Sequence, residues 1–158
     1  MAVLTDVELA RAFESGDIPP ADFHHESHLR VAWVYLRECT SVAAAADRMA
    51  EALQRFAASV GEPQKYHHTL TMFWVFALAA LRAGMPDASA EEVLRAHPRL
   101  LDKDLPLAFY SRDRLFSNAA RLAWVAPDRQ PLTPDAASDC SAHPSSDAPD
   151  RPVPGRSA

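Results

Sequence analysis

Between residues 70 and 81 the chain is apolar on almost every side: Leu70, Met72, Phe73, Trp74, Val75, Phe76, Leu78 and Leu81 leave no polar stripe at helical spacing. A helix of that kind cannot lie on a surface, so other elements must cover it. The pattern predicts one helix over 64–83, the central and most buried of the fold, stopped by Gly84 and Pro86. Its apolar run falls well short of the roughly 20 residues that span a bilayer, so a membrane is not an expected partner.

Flanking segments read as helices of the ordinary, one-sided kind. Thr5 with Glu8 forms a capping box for a short helix ending near Ser15 and Gly16. After the Pro19–Pro20 break, a second helix is expected from about 22 to 39, with Leu29, Ala32, Leu36 and Cys39 on one stripe. Thr40 or Ser41 caps a third, which passes through Ala43, Ala44, Ala45 and Ala46, buries Met49, Leu53 and Phe56, and stops at Gly61. Ser89 and Glu92 make another capping box, for a short helix that ends before Pro98. Beyond residue 100 the signals are short, with Ser111 and Ser117 as caps. No alternating strand pattern, internal repeat or glycine-rich phosphate loop occurs. The expected fold is all-α: a small bundle of three long helices with shorter ones packed around it.

Composition sets the domain limit. Seven of the 13 prolines lie between Pro127 and Pro154, in a stretch whose large aliphatics are Leu132 and Val153. Such a segment cannot offset the entropy of ordering its own backbone. The expectation from composition is a disordered tail over 127–158. The net charge of −5, with dispersed basic residues, argues against nucleic acid as a partner. Cys39 and Cys140 make neither a disulfide framework nor a cysteine zinc site. Acids occupy the N-terminal stretch where a signal peptide would be apolar, which points to a cytoplasmic protein.

Histidine placement is the chemical signal. Five of seven histidines fall in two groups at expected helix starts: His24, His25 and His28, then His67 and His68. His25 and His28 share the stripe of Leu29, Ala32 and Leu36, whereas His24 lies to one side. His67 shares a stripe with Leu70, Trp74 and Leu78, and His68 is rotated by about 100°. If both helices start at the same end, His25, His28 and His67 converge. Three imidazoles with an open position suit one divalent ion, zinc or copper, or iron with a carboxylate from Asp22, Glu26 or Glu62. Tyr66, Arg30 and Thr71 are the candidate catalytic residues: Tyr66 and Thr71 to orient rings or substrate, Arg30 to bind an anion. Trp33 and Trp74 would wall the pocket. Against this stand plainer roles: histidines as caps, tryptophans as core, and Arg30 paired with Glu26. An imidazole with Tyr66 would also serve as a metal-free acid–base pair.

The chain resembles a group of small, uncharacterised bacterial helical proteins. The resemblance rests on Phe23, His25, His28, Arg30, Ala32 and Trp33; on Tyr66, His67, Thr69 and Thr71; and on Leu115, Phe116, Ser117, Ala120, Arg121, Pro127 and Asp128. It spans about 20–132, selects His25, His28 and His67, and extends the expected all-α domain to 1–132, leaving a disordered tail over 133–158. The position of His68 is often acidic in that group. The third element, with Arg121, Asp128, Tyr110 and Ser117, is expected to wrap the bundle, anchored by Phe116 and Trp124; as a lid, it would bring Arg121 to an anionic substrate.

These readings lead to a metal-dependent protein, in the enzymatic form a hydrolase or oxidoreductase, acting on a small molecule at His25, His28 and His67. The competing class is a non-enzymatic helical module whose histidines are structurally hydrogen-bonded and whose apolar surface takes a partner or a second copy.

Overall fold

The computed structural model describes residues 3–132, and the tail expected over 133–158 lies outside them. Among the described residues every regular element is helical: α1 (Asp6–Ser15), α2 (His25–Glu38), α3 (Val42–Ser59), α4 (His68–Arg82), α5 (Ala90–Ala96), α6 (Arg112–Leu115) and α7 (Asn118–Leu122). Single 3-10 turns at Pro20–Asp22, Pro63–Lys65, Pro98–Leu101 and Leu105–Ala108 bend the chain between them, each with proline in its first positions.

The caps follow the sequence signals. Thr5 and Glu8 close the capping box of α1, and Ser89 and Glu92 that of α5. Ser41, Ser111 and Ser117 accept from the backbone of the third residue on, opening α3, α6 and α7. Gly16 ends α1 at φ 79°, a left-handed position that glycine takes without a Cβ penalty. Two starts come later than the pattern suggests. α2 begins at His25, because Pro20–Asp22 forms its own turn, and α4 begins at His68 with His67 as its cap.

One contiguous core joins the helices and reaches Leu132. α2 packs against α1, α3, α4 and α5, and six successive residues, Val31 to Leu36, are buried. The expectation that the fourth helix alone is central needs correcting: α2 occupies the middle. The apolar girth of α4 has two uses, since Phe73, Val75 and Leu78 enter the core while Leu70 and Trp74 stay half-buried beside a cavity. Trp33 is fully buried and its indole N–H donates to the Ala88 carbonyl at 2.8 Å, so it fills the core rather than walling that cavity.

The C-terminal segment is fastened across the bundle. Thr69, wholly buried on α4, donates to the Ala123 carbonyl at 2.9 Å and accepts from Val125 N–H at 3.2 Å. Tyr110 donates to the Val125 carbonyl, and both oxygens of Asp128 accept from Ser111. Trp124 packs edge-on against Phe76 and Tyr110, an anchor as expected. Phe116 is not one: it is 57 % exposed, and the Arg112 guanidinium lies over its ring.

Candidate functional site

α2 and α4 start at the same end of the bundle, where α3 finishes, and there they enclose a cavity of about 640 Å3. Its walls come from the turn before α2 (Pro20, Ala21, Phe23), the first turns of α2, the second half of α3 (Leu53, Phe56, Ala57) with Val60 just past its end, and the α4 side chains Leu70, Trp74 and Val75. Against this apolar lining stand His25, His28, Tyr66, His67 and Thr71, with Lys65 and Glu62 as an ion pair at 2.7 Å between exposed side chains.

Each imidazole is tied to the backbone. His25 donates from Nε2 to the Leu100 carbonyl at 2.8 Å, with its ring 4.5 Å from Trp74. His28 donates from Nδ1 to the His24 carbonyl at 3.0 Å and packs on Phe23, which itself stacks on Phe13. In both rings the second nitrogen is left as an acceptor. His67 differs, because Nδ1 accepts from Leu70 N–H at 3.1 Å while Nε2 donates to the Leu115 carbonyl at 2.7 Å. Both its nitrogens are occupied, by the cap of α4 and by the end of α6.

Burial sets the charge state. It pushes His28 down to about 4, although the His24 carbonyl favours the charged ring and only partly offsets it. His25, His67 and His68 are likewise lowered, first by burial. Arg121 lies close enough to lower His67 further. At neutral pH the site is therefore walled by uncharged imidazoles, of which His25 and His28 keep a nitrogen free to accept a hydrogen bond.

The three histidines chosen from sequence thus share one cavity. They do not form one ion-sized cluster: among the described residues no three His, Cys, Asp or Glu side chains are grouped as a metal would require. A capping residue sits outside the helical stripe, and the later start of α4 turned His67 from a stripe residue into a cap. Thr71 lines the cavity and donates to the His67 carbonyl at 2.9 Å, so it holds that turn in place. Arg30 corrects the sequence reading. It points away from the cavity, donating to Asp6 at 2.7 Å and to the Leu4 carbonyl, and ties α1 to α2.

Tyr66 lines the cavity and its hydroxyl shares a hydrogen with His68 Nδ1 at 2.8 Å. Helical geometry set His68 aside, but Tyr66 precedes the helix, so the two rings fold together across its start. A phenol against a neutral imidazole can pass a proton to or from a bound molecule. Tyr66 also borders a second cavity of about 250 Å3, with Gln54, Pro63, Arg121 and Leu122.

No protein-family model matches the chain, and no curated protein or solved structure matches it either.

Proposed function

We propose that the chain binds a small molecule with a largely apolar body in the cavity between α2, α3 and α4, with the neutral imidazoles of His25, His28 and His67, together with Tyr66 and Thr71, at its polar side. The observation that carries this reading is the cavity itself. About 640 Å3 of mostly aliphatic and aromatic lining, with a few polar groups reaching it from several elements, is the make-up of small-molecule sites. Apolar surface left open in this way forgoes about 25 cal/mol for each Å2 that closure would bury, a cost offset when a ligand fills the space. The acceptor nitrogens of His25 and His28 can each take a hydrogen bond from a ligand that offers a donor, while the apolar lining alone serves one that does not.

The test is a titration of tag-free protein with Nile red, an uncharged apolar fluorophore. One dye per chain is expected to bind, with emission rising and shifting to the blue. Ala57→Leu, which extends a side chain of α3 into the cavity, is expected to weaken binding at least roughly tenfold. Binding that Ala57→Leu leaves unchanged would sink this reading.

A second reading is favoured by the hydrogen bonding of His25 and His28. Each donates one N–H to a backbone carbonyl and keeps the other nitrogen bare, the arrangement that orients a metal-ligating imidazole. In this form the pair holds one divalent ion, zinc, copper or iron, and His67 joins only by giving up Leu115 or the α4 cap. A bound ion would supply Lewis-acid or redox chemistry to a small substrate. Elemental mass spectrometry of tag-free protein, beside His28→Ala, decides it. A stoichiometric ion lost in the variant is expected; no ion in protein grown with all three metals ends the metal reading and leaves the binding one standing.

A further inference from the structure

We infer that the smaller cavity beside Tyr66 is an anion subsite, taking the carboxylate of an amphipathic ligand whose apolar body fills the large cavity. The inference rests on the binding reading above and names the ligand class.

Arg121 carries the argument. Of the Lys and Arg side chains that line either cavity, Lys65 is paired with Glu62, whereas Arg121 has no carboxylate within ion-pair distance among the described residues. Its side-chain contact is with the amide oxygen of Asn118 at 3.1 Å, which leaves most of the five guanidinium donors unoccupied. The residue is nonetheless partly covered, unlike Arg112, Arg114 and Arg129 of the same segment, which are exposed. A guanidinium with free donors and no counter-charge beside it is a place where an anion is stabilised.

The rest of the lining agrees in sign. Gln54 and Tyr66 line the cavity with the guanidinium, and no acidic side chain does. A planar carboxylate is the match for a guanidinium fork. Tyr66 lines both cavities, so the two are adjacent, and a ligand with its head group on Arg121 would reach the larger one past that residue. The sizes agree as well: about 250 Å3 accepts a head group, and about 640 Å3 accepts the body.

The experiment uses three eight-carbon probes that differ in the head group: octanoate, 1-octanol and octylammonium, each displacing Nile red from the tag-free full chain at neutral pH. Octanoate is expected to displace the dye at a concentration roughly ten- to a hundredfold lower than 1-octanol, with octylammonium weakest. Arg121→Gln should bring octanoate to within about twofold of 1-octanol while 1-octanol itself is unmoved, and Arg121→Lys should keep part of the preference. A urea unfolding curve verifies that each variant is folded. Equal displacement by octanoate and 1-octanol, or a preference that survives Arg121→Gln, overturns the subsite alone. Failure of Nile red and all three probes to bind overturns the binding reading and the subsite together.

Discussion

His28 shows how one buried imidazole couples pH to folding. In the unfolded chain it takes up a proton near its ordinary value of 6.5, and in the folded protein only near 4. Between those values the unfolded state holds more protons, so stability falls as the pH drops through that window and levels off below it. The expected loss is about 1–3 kcal/mol, read on chelator-treated protein from urea midpoints at pH 7 and pH 4.5. His28→Gln should flatten much of that slope. His25, His67 and His68, lowered for the same reason, act in the same direction and account for the remainder. His67 has a second, pH-independent role: His67→Ala removes the cap of α4 and strands the Leu115 carbonyl, with an expected cost of about 1–3 kcal/mol at pH 7.5.

Helices and turns meet at a few polar fasteners, and these separate structure from site. Asp6 accepts from Arg30 on α2 and from Ala90 N–H at the start of α5, so one carboxylate joins three helices. Asp6→Ala should lower stability by about 1–3 kcal/mol yet leave Nile red affinity unchanged, because neither partner borders the cavity. A large drop in dye affinity in a variant that remains folded would show Arg30 to belong to the site after all. Thr69 plays the corresponding part for the C-terminal segment. Thr69→Val keeps the shape but leaves the Val125 N–H without its acceptor, at an expected cost of about 1–3 kcal/mol. Hydrogen exchange at Ala123 and Val125 should quicken well before that of α2, since local opening of the segment does not require the core to open.

Across the entire fold, one core cluster runs from Leu9 to Leu132, so unfolding is expected as a single transition, coincident by circular dichroism and tryptophan fluorescence. Ligand binding should raise that stability by mass action, about 2.7 kcal/mol at a hundred times Kd. Octanoate at that excess is the check, and a midpoint that does not move would contradict binding to the native state. The all-α class, the capping boxes at Thr5 and Ser89 and the serine caps were legible in residue pattern alone. They are local matters: a cap needs its neighbours three residues on, and an apolar stripe needs only its own period. That His25, His28 and His67 share one cavity was legible only on the condition that the second and fourth helices start at the same end, a condition the packing of α2 and α4 meets. What the pattern could not contain is where each ring's nitrogens go. The carbonyls of Leu100 and Leu115, the turn of Arg30 toward Asp6, the Tyr66–His68 contact and the approach of Arg121 to Tyr66 all join residues across helix starts or far apart in the chain. Such partners are chosen by how helices pack, and the start of α4 at His68 rather than near 64 turns His67 from a face residue into a cap.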